Sequence, residues 1–398
     1  MKSVGSNVLI LIPSIASIGG AETLFGNLSM LLSEHWKVVQ VSFDPPKSVN
    51  RPSDDIPFYT LGLKNFKIPS IFRWAEVILM AIRLRKLKKK LNIDATVSMT
   101  WKADFISVLS SGSDRKISLF VINLCNNPVN KTMVTFKVFF GMVYRRFDRV
   151  LAISNSIKNE LKEFFNIKTE HIGTFQNFLP EPNPKQIKVW NKDKIQRYIF
   201  CGRVALEKNL DGLIHVWARL SFCNKGAQLI VLGDGPLIVA VKQTAYELGL
   251  NIDTNPMNSQ ASVLFLGEVK RPEDYISQGY IFLLPSRNEG TPTVLILALM
   301  LGVPIIAANT NSGGVQDMVT DFNFCPSECG DEIVAGMLLP IPEIFIPETI
   351  TIWVKALERI NKNRKKREQW SIGAKNLGKK FSYEKSLCAW QKELNNLL

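Results

Sequence analysis

Two blocks in the second half of the chain combine charged side chains with glycine, proline and hydroxyl residues at spacings that suit an anion. In Gly202-Arg203-Val204-Ala205-Leu206-Glu207-Lys208-Asn209, a β-like run gives way to a helical one over Leu210–Leu220. Asn209 is placed to cap that helix. Arg203 and Lys208 then occupy a loop beside its free amides, and two cations there suit a diphosphate. In Ser286-Arg287-Asn288-Glu289-Gly290-Thr291-Pro292-Thr293-Val294, a buried strand (Ile281–Leu284) ends in a polar loop. Thr291 reads as the N-cap and Pro292 as the first residue of the next helix. The amides of Thr293 and Val294 then face the space above the strand's carboxyl end, which favours a phosphate. A further strand over Pro304–Ala308 runs towards the pair Gly313-Gly314.

Other loops carry weaker signals. Leu232-Gly233-Asp234-Gly235-Pro236 allows close backbone approach, but it lacks the third glycine of a dinucleotide fingerprint, and a tight turn explains most of it. Gly19 and Gly20 precede a helix opened by Ala21, where the backbone and the helix dipole suit a negative ligand. Trp101, Lys102 and Asp104 follow one first-half strand, Asn126 and Asn127 another, and ordinary loop composition explains them almost as well. None of His35, His171 and His215 falls where a role is needed, and packing accounts for His215. The six cysteines are scattered. Only Cys325 and Cys329 are close, no zinc site is completed, and reduced, mostly buried thiols are expected.

The elements that must hold these loops alternate strand and helix, which implies parallel sheets. Buried strands are expected at Val8–Ile12, Val38–Phe43, Thr96–Met99, Leu119–Asn123 and Val150–Ile153, with helices near Ala21–Leu32, Pro69–Leu91, Val134–Tyr144 and Ser154–Phe165. A breaker cluster at Glu181-Pro182-Asn183-Pro184 precedes a fresh series at Tyr198–Cys201, Leu229–Leu232, Val263–Leu266, Ile281–Leu284 and Ile305–Ala308. With 398 residues, two domains are expected. The division is 1–180, a linker over 181–197, a second domain over 198–380, and a last helix over 381–398. The fold class is α/β, two Rossmann-like doubly wound domains facing a cleft at the carboxyl ends of their sheets.

The blocks together resemble retaining glycosyltransferases of family 4. Gly202 to Lys208 matches that family's Gly-Arg-x-x-x-x-Lys element. Glu289-Gly290-Thr291-Pro292 opens its Glu-Gly-x-Pro-x-x-x-x-Glu signature, except that Leu297 stands where the second glutamate belongs. The resemblance implies the GT-B architecture, with the last helix returning to the first domain. It also implies a hexosyl transfer from a nucleotide-diphosphate sugar, UDP favoured over GDP, to a saccharide acceptor, without metal or other cofactor. Arg203 and Lys208 would grip the diphosphate and Glu289 the sugar hydroxyls, as the catalytic set. Gly19, Gly20, Gly202, Gly233, Gly290, Thr291, Pro292, Thr293, Val294 and Leu297 would line the donor, and Trp101, Lys102, Asp104, Asn126 and Asn127 the acceptor side. The missing glutamate normally accepts from the ribose hydroxyls, and each lost bond costs roughly 0.5–1.5 kcal/mol. Three accounts of Leu297 stand: another group holds the ribose, the donor binds weakly, or activity is lost. A member that only binds nucleotide sugar or a partner transferase, and a nucleotide-sugar epimerase of the same fold, are the alternatives.

Charge adds one expectation. The net charge is +14. Residues 1–180 hold 24 Lys/Arg against 13 Asp/Glu, a net of +11, and the remainder holds 25 against 22, a net of +3. Arg83, Arg85, Lys86, Lys88, Lys89 and Lys90 crowd the end of a helix with an apolar start at Ile71, Phe72, Val77, Ile78 and Leu79. Phe136, Phe139, Phe140, Val143 and Tyr144, with Lys137, Arg145 and Arg146, form a second basic-aromatic segment. Such helices lie on anionic membranes, although a solvated face or a core helix has the same pattern. No nucleic-acid recognition motif accompanies the charge. No apolar run reaches a bilayer span, and the start of the chain reads as a strand and not as a signal peptide. The expected place is the cytoplasm, on the inner face of the membrane, in bacterial polysaccharide assembly of the lipopolysaccharide type with a lipid-diphosphate-linked acceptor.

Overall fold

The computed structural model describes residues 5–15, 20–45, 55–62, 73–120, 137–189, 195–220, 226–310, 313–320 and 330–398. They form two compact units, Met1–Pro180 with Tyr383–Leu398, and Glu181–Ser382.

The first unit is built on β1 (Asn7–Ile12), β2 (Lys37–Ser42), β3 (Phe58–Thr60), β4 (Ala95–Met99), β5 (Arg115–Phe120), β6 (Arg149–Ala152) and β7 (Ile172–Thr174). All pairings are parallel, in the order β3-β2-β1-β4-β5-β6-β7. The β1 sequence Asn-Val-Leu-Ile-Leu-Ile shows why. Val8, Ile10 and Ile12 join Phe25, Leu28 and Leu32 of the helix Gly20–Ser33 in one core. Leu9 and Leu11 join Met80 and Leu84 of the helix Arg73–Lys90 in a second core. Both faces are covered, so each buried position, Val8 to Ile12, is apolar. The strand order reverses between β1 and β4, the point where open sheets of this kind bind ligands. The last helix, Tyr383–Asn395, packs within this unit: Trp390 lies 5.4 Å from Phe175 between ring centroids, and Arg149 donates from Nε to Glu393 at 2.8 Å.

Some expectations need correction here. β5 begins at Arg115 because Arg115 pairs with Ala95 of β4. Trp101–Leu109 is a helix and not a loop. Ser154 caps its helix by accepting from Ile157 N at 3.2 Å, but regular α-helix ends at Asn159 and the next turn, Glu160–Phe164, is a π-helix. Gly19, Asn126, Asn127, Ile71, Phe72, Phe136 and the last residues of the strand expected over Leu119–Asn123 lie outside the described residues.

The second unit contains β8 (Gln196–Cys201), β9 (Ala227–Leu232), β10 (Ile252–Asp253), β11 (Val263–Gly267), β12 (Ile281–Leu284), β13 (Ile305–Ala308), β14 (Asp331–Ile333) and β15 (Gly336–Leu339). Their order is β10-β11-β9-β8-β12-β13-β15-β14, and β14 alone pairs antiparallel. Tyr198, Phe200, Trp217 and Trp353 anchor the core. Its reversal point falls between β8 and β12, the two strands that lead into the anion-suited blocks. The stretch read as a linker is tied to this unit: Lys188 N donates to Asp274 Oδ1 at 2.9 Å and Gln278 Nε2 to Lys188 O at 2.9 Å.

Candidate functional site

The two blocks emerge from neighbouring strands at the reversal point and meet. Lys208 Nζ donates to Glu289 Oε1 at 2.7 Å, and Ser286 Oγ donates to the same oxygen at 2.7 Å. Glu289 is 7% exposed, with the Lys208 side chain 22% exposed, so the pair faces solvent chiefly through its ammonium. Arg203 is exposed and donates to Glu207 Oε1 at 2.6 Å. Partial burial favours protonated Glu207, yet the hydrogen bond and charge of Arg203, a backbone hydrogen bond and the charge of Lys208 together outweigh it and hold the carboxyl below its ordinary range. Both cations expected to grip a diphosphate are therefore satisfied by carboxylates of the protein itself. At the end of β8, burial pushes the Cys201 thiol up to about 12 against the pull of Lys208, which leaves it protonated and unreactive.

Two caps differ from expectation. The helix Thr293–Met300 starts one residue later than expected. Pro292 is extended, with φ −66° and ψ 116°, and its carbonyl accepts from Leu295 N at 3.0 Å and Ile296 N at 3.2 Å, so Pro292 and not Thr291 holds the N-cap place. Pro292 has no side-chain group that could cap this end. Asn209 stands at the N-cap of Leu210–Ala218, but in the left-handed region at φ 52°. Its Nδ2 instead donates to Pro285 O at 3.2 Å and Pro342 O at 3.1 Å. It ties the start of one block to the other.

Close backbone approach fixes the rest. A Cβ on Gly233, at φ 129°, would lie 2.0 Å from Gly202 O, and one on Gly314 would lie 1.5 Å from Gly290 O. Only glycine allows the turns after β9 and β13 to support the loops after β8 and β12. Thr293, Val294 and Leu297 form the half-buried side of their helix, while Leu295, Ile296, Ala298 and Leu299 are buried. Leu297 therefore stands one turn beyond Thr293 on the same side of the helix.

The first unit places its candidates less uniformly. Gly20 opens its helix, and a Cβ there would meet nothing within 4 Å, so the fold itself does not require glycine. Trp101 and Lys102 begin the helix after β4, with the Lys102 ammonium 5.6 Å from the Trp101 ring centroid. Asp104 is fully buried. Ser98 Oγ donates to its Oδ1 at 2.6 Å and Tyr144 Oη to its Oδ2 at 3.3 Å. Burial raises this carboxyl to about 8 against those hydrogen bonds, which makes Asp104 an interior prop for the helix and removes it from the surface set.

The basic segments also need revision. Arg83 donates to Leu61 O at 2.8 Å, and Lys88 is buried, bonded to Asp114 Oδ2 at 2.9 Å. The helical turn carries Leu84 and Lys88 inward together. Burial lowers Lys88 to about 8 although Asp114 opposes it. What stays outside is Ile78, Ile82, Arg85, Lys86, Lys89 and Lys90. In the second segment Phe140, Val143 and Tyr144 belong to the core, leaving Met142, Arg145 and Arg146 exposed. Cys388 is exposed and Cys201 half-buried, so the described thiols are less enclosed than expected. Among the described residues, no group of three or more His, Cys, Asp or Glu is placed to hold a metal ion, and no helix is long and apolar enough to cross a membrane.

Sequence reading passed over Arg287 and Glu343. Arg287 Nε and Nη2 each lie 2.8 Å from a Glu343 oxygen, and its Nη1 donates to Leu206 O at 2.8 Å. Arg287 lay inside the quoted motif. Glu343 is distant in sequence and carried no signal.

Known proteins resemble this chain in sequence and in fold. Residues 195–338 match the family described as glycosyl transferases group 1. An uncharacterized glycosyltransferase of Haemophilus influenzae is 25% identical over 355 residues, which is 87% of this chain and 93% of that protein. The amylovoran biosynthesis glycosyltransferase AmsD of Erwinia amylovora is 23% identical over 330 residues, 79% of this chain and 84% of its own. Among solved structures, Anabaena HepE in complex with UDP and glucose superposes with a TM-score of 0.76 at 16% identity, covering 98% of this chain and 100% of that one. The fold is that of the GT-B glycosyltransferases. The family match takes in both anion-suited blocks.

Proposed function

We propose that the protein is a retaining glycosyltransferase that moves a hexosyl group from a UDP-sugar to a saccharide acceptor, without a metal ion. The observation that carries this reading is the Lys208–Glu289 pair at the β8/β12 reversal point, beside a helix start whose N-cap residue is Pro292. A diphosphate would accept from the first amides of Thr293–Met300 and draw Lys208 and Arg203 towards itself. Negative charge grows on the diphosphate as its bond to the sugar C1 breaks, and preorganised cations and amides stabilise it without reorganising solvent. Glu289, released in part from Lys208, would accept from hydroxyls of the sugar. HepE is described in complex with UDP-glucose as well as UDP, which favours uridine among the bases.

The acceptor side is assigned to the first unit, through Gly20, Trp101 and Lys102. The solvent-facing strip of Arg73–Lys90, two isoleucines followed by four cations, suits an anionic bilayer and so a lipid-linked saccharide of envelope polysaccharide assembly. Relatedness to an amylovoran biosynthesis enzyme points in the same direction. Leu297 favours a second reading, donor binding without turnover. One experiment separates the two. The protein is incubated with UDP- and GDP-sugars and a mixed lipid-linked acceptor, and nucleotide release and the anomeric configuration of the product are followed. Nucleotide binding with no release from any donor would leave the second reading standing. No binding of any nucleotide sugar would remove both.

A further inference from the structure

We infer that Arg287 is the positioning residue of the donor site, a staple that sets where Lys208 stands relative to Glu289. The inference rests on the donor reading above but names a residue and a contact outside it. The geometry is a chain of contacts within the second unit. Glu343 fixes the Arg287 guanidinium from two sides, through Nε and Nη2 at 2.8 Å each. The remaining nitrogen, Nη1, donates to Leu206 O at 2.8 Å, and the Arg287 amide donates to Glu207 O at 2.8 Å. Leu206–Lys208 is a single 3-10 turn with no side-chain cap, ending in a left-handed Asn209. Such a turn has little order of its own. Its two leading carbonyls are both taken by Arg287, one residue beyond Ser286, which itself donates to Glu289 at 2.7 Å. The loop that carries Lys208 is thus held by the loop that carries Glu289.

Arginine is suited to this place because its planar fork serves two acceptors at once, which a lysine cannot do. A displacement of about 1 Å at a reacting centre costs about 10²-fold in rate. Loss of the staple should therefore show in donor binding before it shows in the fold.

The test uses full-length protein, UDP as the probe, and two variants. In Arg287→Met, UDP affinity should fall about tenfold or more, and amide hydrogen exchange over residues 203–208 should quicken while the sheet strands stay protected. The exchange variant, Arg287→Glu with Glu343→Arg, restores an ion pair, but a glutamate cannot donate to Leu206 O. It should recover the unfolding midpoint and leave both UDP affinity and loop protection impaired. UDP affinity within twofold of wild type in Arg287→Met, or full recovery in the exchange variant, would overturn the inference. So would failure of the exchange variant to fold, since the contact would then serve the fold alone. If the wild-type protein does not bind UDP, the donor reading fails by itself, and loop protection in the variants still decides the case for Arg287.

Discussion

Lys208 and Glu289, 81 residues apart, share a 2.7 Å hydrogen bond that joins the loops following β8 and β12. Glu289 accepts from both Lys208 and Ser286 through one oxygen, Oε1. The cation and the carboxylate therefore hold each other in the structure, and an anion that engaged the ammonium would loosen one of the bonds on Glu289 while Ser286 kept the other. On the proposed reading, this one pair would serve two parts of a nucleotide sugar, its diphosphate and its hydroxyls.

Lys208→Ala should remove donor-dependent turnover while the protein stays folded. The loss expected for deleting one preorganised donor to a developing oxyanion is about 10²-fold or more in kcat. Steady-state nucleotide release, with circular dichroism as the control, measures it. Unaltered turnover would mean that the diphosphate lies elsewhere.

Leu297→Glu should tighten UDP binding. The side chain leaves the half-buried side of its helix one turn beyond Thr293, where a carboxylate can accept from ribose hydroxyls. One or two such bonds at roughly 0.5–1.5 kcal/mol each give a gain of about twofold at the least and about 150-fold at the most. Calorimetry with UDP and with its 2′-deoxy analogue reads the effect, because the gain should shrink for the analogue. An equal gain for both, or no gain, would show that the ribose is held by another group.

How much of this was legible in sequence depended on what each signal encodes. β12 and β13 are uninterrupted apolar runs, and β1, β8 and β9 become apolar after one or two leading positions that include Asn7, Gln196, Arg197 and Gln228, because a parallel sheet covered on both faces leaves few polar positions. β3, β7, β10 and β14 span two or three residues, too few to carry a period, and escaped notice. The anion-suited loops were legible because glycine, proline and paired charges are forced there by backbone geometry. The partners were not. That Lys208 meets Glu289, that Arg287 meets Glu343, and that Lys88 turns inward to Asp114 are facts of packing between distant segments. Asp104 shows the same limit from the other side, since a loop-like acid proved to be an interior one.

Stability should depend on pH through Asp104. Its carboxyl stands at about 8 in the fold, raised from 3.8 chiefly by burial. A group raised on folding lends stability that is complete below its unfolded value and disappears as pH climbs through its folded value. The window runs from near pH 4 to near pH 8, with the protein weakening on the way up. Asp104→Asn keeps the shape and an oxygen that accepts from Ser98, its amide nitrogen donates to a turned Tyr144 hydroxyl, and it cannot ionise. Its unfolding midpoint should come closest to wild type near pH 4 and exceed it by a growing margin up to near pH 8. A constant difference between the two proteins across this range would show that Asp104 is not the titrating group.

The outer strip of the helix Arg73–Lys90 should bring the protein to anionic bilayers. Ile78 and Ile82 are 56% and 46% exposed, and Arg85, Lys86, Lys89 and Lys90 follow on the solvent side. Basic residues near an anionic surface contribute about 1 kcal/mol each, so replacing these four with alanine should cost about a hundredfold or more in vesicle affinity. Ile78→Glu should weaken binding by a different route, since it removes apolar insertion and adds a like charge. The two changes are separable by salt. Binding retained by the alanine variant should be insensitive to ionic strength, whereas that retained by Ile78→Glu should fall further as salt rises. Flotation with phosphatidylglycerol vesicles, with phosphatidylcholine as the neutral control, reads both. Wild-type protein that stays with the soluble fraction at low salt, or that floats equally with both lipids, would refute this surface.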